Sequence, residues 1–140
     1  MGEEKTNELP TSTIDVSILG SEKVLVVDDD AEVRQFVMAA LISLGYQSFE
    51  AEDAQSALAT LGQQPHIALL FTDVGLPGMN GRLLAEAAQL QKPGIKVIYT
   101  TGYARNAIVH HGIVDLGVNL LPKPFTVEAL GRRLRQVLDT

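Results

Sequence analysis

Three acids, one hydroxyl and one amine stand at the ends of apolar runs along this chain. Asp28 and Asp29 follow Val24-Leu25-Val26-Val27, Asp73 closes 67–73, Thr101 closes 96–101, and Lys123 comes just past 118–121. Like charges gathered at a strand end repel one another and resist desolvation, and the usual remedy is a bound cation. With no thiol or imidazole beside them, adjacent carboxylates suit a hard ion such as Mg²⁺. Such a set could handle a phosphoryl group. Carboxylates hold the cation, cation and lysine neutralise the phosphoryl oxygens, the hydroxyl donates a hydrogen bond, and the remaining carboxylate is the nucleophile. Each residue also has a plainer reading. One acid of Asp28-Asp29-Asp30 would cap the next helix while the others are solvated. Asp73 would begin the turn shaped by Gly75, Pro77 and Gly78, Thr101 would be an ordinary β-branched strand residue, and Lys123 a solvated charge beside two prolines. Their joint arrival at strand ends favours the chemical reading.

The elements that position them follow from hydrophobic periodicity. Strands are predicted over 23–28, 46–50, 67–73, 96–101 and 118–121. Val33, Val37, Leu41 and Leu44 recur at helical spacing over 31–44, and Gly45 supplies the stop. Asp53 caps a helix over 53–63, which Pro65 ends. Leu83, Leu84, Ala87 and Leu90 share a face over 80–91, and a less regular helical pattern covers 104–112. The last helix starts at Thr126, with Phe125 and Leu130 as a hydrophobic staple and Leu134, Val137 and Leu138 continuing the stripe. Strict alternation of mostly apolar strands with helices implies a parallel sheet covered on both faces. Ligands of such sheets bind beyond the carboxyl ends of the strands, near a topological switch point.

Residues 1–21 are polar and read as an N-terminal tail ahead of a single domain at 22–140. Within the tail, 13–18 alternates with Ile14, Val16 and Ile18 on one side. That pattern would suit a strand at a sheet edge or against another subunit, but fits a flexible linker better.

The 140 residues are 46% hydrophobic and 20% charged, a globular composition. A net charge of -6 argues against a nucleic-acid surface. The absence of cysteine excludes disulfides, thiolate zinc sites and cysteine nucleophiles, and fits a cytoplasmic home. No run approaches a membrane span, and the opening Met1-Gly2-Glu3-Glu4 is unlike a signal peptide. Gly2 with Thr6 matches only the loose myristoylation pattern.

On its motifs the chain resembles the receiver domain of bacterial two-component response regulators. The resemblance covers about 22–139 and rests on VLVVDDD at 24–30, TDVGLPGMNG at 72–81, VIYTTGYA at 97–104 and LLPKPFTVEAL at 120–130. Asp73, Pro77 and Gly81 supply its Asp-x-x-x-Pro-x-x-x-Gly spacing, and LPKPF and TTGYA are similar to receivers attached to hybrid histidine kinases. The resemblance implies a flavodoxin-like, doubly wound, five-stranded parallel sheet of order 2-1-3-4-5. It implies that Asp73 is the phosphoacceptor, charged from a phosphohistidine on a histidine kinase or histidine phosphotransfer protein. Mg²⁺ would be held at Asp73 by Asp29 directly, by Asp28 mainly through a metal-bound water, and by the backbone carbonyl of Gly75. Thr101 and Lys123 would contact the phosphoryl oxygens, and the Lys123–Pro124 peptide would be cis. Asp30 falls outside the acidic pair and reads as the N-cap of the first helix.

The function so implied is a phosphorylation-controlled switch rather than a conventional enzyme. Charge added at Asp73 would shift the face made by the 104–112 helix, the fifth strand and the last helix. In many receivers the position three before the lysine is aromatic; here it is Leu120, so an aromatic version of the switch is not supported. Gly75 would admit water to an acyl phosphate while Tyr103 would shield it, two opposed effects. His110 and His111 read as surface residues and His66 as a loop residue. An aspartyl-phosphate phosphohydrolase is a second reading, but such enzymes usually carry an acid where Gly75 stands and need a cap. A phosphate-independent adaptor is a third, against which the complete set of site residues counts. No output domain is expected within the 140 residues. A stand-alone regulator, favoured by the Met1 start, and a receiver segment of a larger kinase both fit, and homodimerisation through the switching face stays open.

Overall fold

The computed structural model describes residues 15–102 and 119–140; Gly2, Thr6, Ile14, Tyr103, His110, His111 and the 104–112 segment lie outside them. Five strands, β1 (Lys23–Val27), β2 (Gln47–Ala51), β3 (Ile67–Asp73), β4 (Lys96–Thr101) and β5 (Leu120–Pro122), form one parallel sheet of order β2-β1-β3-β4-β5. The described helices are α1 (Ala31–Ser43), α2 (Ala54–Gln63), α3 (Gly81–Gln91) and the C-terminal α4 (Val127–Leu138). β3 and β4 have the predicted bounds. β1 stops one residue short because Asp28 turns its carboxylate back to the Asp30 amide. β2 starts one residue late because the Tyr46 amide is still held by the Leu41 carbonyl at the end of α1.

Alternation along the strands divides the core into two layers. Val24 and Val26 join Leu41, Leu69, Phe71, Ile98, Leu130 and Leu134 under α1 and α4. Leu25 and Val27 join Leu61, Leu70, Leu84, Ala88 and Val97 under α2 and α3. Each helix is opened by a side-chain cap. Asp30 accepts from the Glu32 and Val33 amides, Asp53 from Ser56, Asn80 from Leu83 and Thr126 from Ala129. A cap of this kind contributes about 1 kcal/mol and sets where the helix begins.

The segment before β1 departs from expectation. Val16–Ile18 is neither strand nor linker but a 3₁₀ turn, whose N-cap Asp15 accepts from the Ser17 amide. Ile18 is buried against Gly131 of α4, where a Cβ would come within 2.9 Å of Ile18 Cδ1. Gly20 packs against the Tyr46 ring, where an added Cβ would come within 2.3 Å of Tyr46 Cζ. Arg135 holds the Leu19 carbonyl and pairs with the Glu22 carboxylate at 2.7 Å. An edge strand would have left Ile18 half in water; docking on α4 removes it. No helix among the described residues is long and apolar enough to cross a membrane.

Candidate functional site

β1 pairs with β2 on one side and β3 on the other, so the chain leaves its carboxyl end and that of β3 toward opposite faces. The crevice between them is where the sheet order reverses. Asp28 follows β1 with its amide on the Ala51 carbonyl (3.2 Å) and its Oδ1 on the Asp30 amide (2.9 Å), and is 4% exposed. Asp29, the next residue, is exposed. Asp73 closes β3, and its Oδ1 accepts from the Gly75 amide at 3.3 Å. Carboxylate oxygens of Asp28, Asp29 and Asp73 lie within 4.8 Å of one another.

Lys123 enters from the end of β5. Its backbone amide donates to the Thr101 carbonyl at 2.9 Å, and its Nζ lies 3.1 Å from Asp28 Oδ2 and 3.5 Å from Asp73 Oδ2. The Lys123–Pro124 peptide is cis, as expected. Thr101 is buried at the end of β4, one residue beyond Thr100, which pairs with Asp73 in the β3–β4 register. Leu120 stands apart: its half-buried side chain packs on the α2–α3 layer, and its carbonyl accepts from Arg133 Nη1.

The charges are coupled. Burial pushes the Asp73 carboxyl above its usual range; Lys123 opposes the shift and Asp28 adds to it. Burial alone would lower the Lys123 ammonium, but the carboxylates of Asp73 and Asp28 outweigh it and hold its pKa above the ordinary value.

The motif spacing has a steric cause. A Cβ on Gly81 would stand 2.2 Å from the Asp73 carbonyl oxygen, and the Gly81 amide donates to the Val74 carbonyl at 2.9 Å. Only glycine lets α3 begin flush against the backbone of the acid. Gly78, at φ +79, completes the loop between them.

The donor set fits a hard divalent cation. It is all oxygen, and Mg²⁺–oxygen bonds of about 2.1 Å place opposed ligands about 4.2 Å apart. Oxygens already within 4.8 Å need to move little. Arg34 is the neighbour that sequence reasoning missed. Its Nη1 donates to the Asp28 carbonyl at 2.6 Å and its Nε pairs with Glu50 at 2.9 Å. An arginine in the second helical turn after the acids was visible in the sequence, but the nearness of Glu50 depends on β2 lying beside β1.

A family model described as the response regulator receiver domain matches residues 24–135. The chain is 30% identical over 117 residues to the response regulator receiver protein CpdR of Brucella abortus, covering 84% of this chain and 97% of that protein. It is 32% identical over 121 residues to the sensor kinase CckA of the same organism, covering 86% of this chain but spanning only 13% of the kinase. Among solved structures, the chemotaxis protein CheY4 of Vibrio cholerae superposes with a TM-score of 0.73 at 29% identity, covering 84% of this chain and 99% of that one. With that sheet order and that acidic crevice, the chain belongs to the response regulator receiver domain family.

Proposed function

We propose that the protein is a phosphorylation-controlled switch whose phosphoacceptor is Asp73, served by Mg²⁺. The observation that carries it is the grouping of the Asp28, Asp29 and Asp73 oxygens within 4.8 Å, with the Lys123 ammonium 3.5 Å from Asp73. Asp28, Asp29, Asp73 and the Gly75 carbonyl would hold the ion, which when bound supplies positive charge to the phosphoryl oxygens. The Asp73 carboxylate attacks the phosphorus of a phosphohistidine on a partner kinase or phosphotransfer protein. The phosphorus–nitrogen bond breaks and its electron pair leaves on the imidazole. Lys123 and the Thr101 hydroxyl steady the phosphoryl oxygens. The added charge then draws on Thr101 and Lys123, and through Leu120 and β5 shifts the face that includes α4. Chemistry is confined to self-phosphorylation and autodephosphorylation, the hydrolysis of the acyl phosphate by water, in a cytoplasmic setting. The test is incubation with acetyl phosphate and Mg²⁺. An acid-labile adduct one phosphoryl heavier, absent from Asp73→Asn, is expected; equal labelling of that variant refutes the assignment. Beryllofluoride added in an NMR titration then maps the surface that responds.

A further inference from the structure

We infer that Arg34 is a positioning residue for the acidic turn: by gripping the Asp28 main chain it aims the Asp29 carboxylate for a divalent cation. This rests on the reading that the cluster takes Mg²⁺. The polar atoms of Asp28 are engaged in four directions. Its amide goes to Ala51, its Oδ1 to the Asp30 amide, its Oδ2 to Lys123 and its carbonyl to Arg34 Nη1 at 2.6 Å. The last bond reaches beyond Asp28. The carbonyl shares a rigid peptide plane with the Asp29 amide and Cα, so holding the oxygen orients the residue that follows. Asp29 is exposed and its carboxylate has no protein hydrogen bond among those described, so the peptide plane is its tether. Arg34 is itself braced. Its Nε pairs with Glu50 at 2.9 Å, Gln35 donates to the same carboxylate oxygen at 3.2 Å, and its side chain is 14% exposed. One guanidinium thus ties α1 and β2 to the turn that carries both acids, a two-ended task suited to a planar fork and not to an ammonium.

A positive charge near a cation site, acting as charge alone, opposes the cation. The two roles therefore predict opposite signs, and Mg²⁺ affinity measured by calorimetry separates them. If Arg34 positions the turn, Arg34→Gln weakens Mg²⁺ binding 10–100-fold, the range for residues that orient metal ligands. Arg34→Lys, which keeps the charge but cannot span both partners, weakens it about 10-fold. If Arg34 acts only as charge, Arg34→Gln binds Mg²⁺ more tightly and Arg34→Lys binds as wild type does; either result overturns the inference. Circular dichroism melts fix a temperature at which each variant is folded. Should Arg34→Gln fail to fold, Arg34→Lys alone decides. The metal-free amide resonance of Asp29 should move in both variants, and a fixed resonance counts against the tether. Wild-type protein that takes up no Mg²⁺ overturns the proposed function together with this inference, whereas uptake by wild type with undiminished Arg34→Gln affinity overturns this inference alone.

Discussion

Asp73→Asn should make the metal-free protein more stable. Carboxylate oxygens 4.8 Å apart repel by about 3.5 kcal/mol per pair at an effective dielectric near 20, and an ammonium 3.5 Å away attracts by about 4.7 kcal/mol. The Lys123 attraction therefore outweighs the Asp28 repulsion, and it is burial that leaves the Asp73 carboxylate with a net cost and a raised pKa. Removing the charge while keeping the shape relieves that cost, and each 1 kcal/mol of relief should raise the melting temperature by about 3 °C in EDTA at neutral pH. Mg²⁺ at a hundred times its dissociation constant should add about 2.7 kcal/mol to the wild type. The variant has lost a ligand and should gain less, so the two melting temperatures converge. The pH dependence has a definite sign. Because the folded pKa of Asp73 is raised, the fold favours its protonated form, a contribution present below the ordinary carboxylate range and lost as pH rises through the folded value. The advantage of the variant should therefore shrink on acidification. Thermal melts with and without MgCl₂, at two pH values, read all of this. A variant less stable than wild type in EDTA, or an equal Mg²⁺ gain in both, would refute the electrostatic reasoning.

Other outcomes follow from the same contacts. Ile18→Ala empties a buried position on α4 and should cost about 2–4 kcal/mol in urea unfolding; a change within error would mean that the segment is not docked in solution. Gly81→Ala forces a methyl onto the Asp73 carbonyl, so it should lose about 1–3 kcal/mol and impair acetyl phosphate labelling together, whereas stability loss with normal labelling would uncouple the glycine from the site. Burial pushes the Tyr46 phenol up to about 12 and raises the Tyr99 phenol as well, so ultraviolet titration should show a late-ionising component that Tyr46→Phe reduces. Stability linked to the neutral Tyr46 phenol is present below its ordinary pKa and is lost as pH rises through about 12. The Tyr46 hydroxyl has no hydrogen-bond partner among the described residues, so Tyr46→Phe should leave stability unchanged or slightly raised; a loss above about 1 kcal/mol would reveal a bonded hydroxyl.

Local signals carried much of the fold. The bounds of β3 and β4 and the caps at Asp30, Asp53 and Thr126 coincide with the elements found. They are legible because an apolar run or a capping acid acts within a few residues of itself. The turn at Val16–Ile18 was not legible, since Ile18 finds its partner at Gly131 across the whole domain. Strand β2 shifted by one residue because the helix-ending bond from the Tyr46 amide to the Leu41 carbonyl five residues back, not the strand's own periodicity, sets its start.

For the site, the residue types and their places at strand ends are properties of the chain, and they single out Asp28, Asp29, Asp73, Thr101 and Lys123 as candidates. What only tertiary structure decides is how those charges see one another. Sheet order puts Asp28 opposite Asp73, and the Lys123 amide bond to Thr101 brings the ammonium to 3.1 Å from one acid and 3.5 Å from the other. Placing β2 beside β1 delivers Glu50 to Arg34 and so braces the turn. Periodicity records which side of an element meets the core; electrostatic coupling falls off over a few ångströms, and distances of that size exist only once the strands have paired.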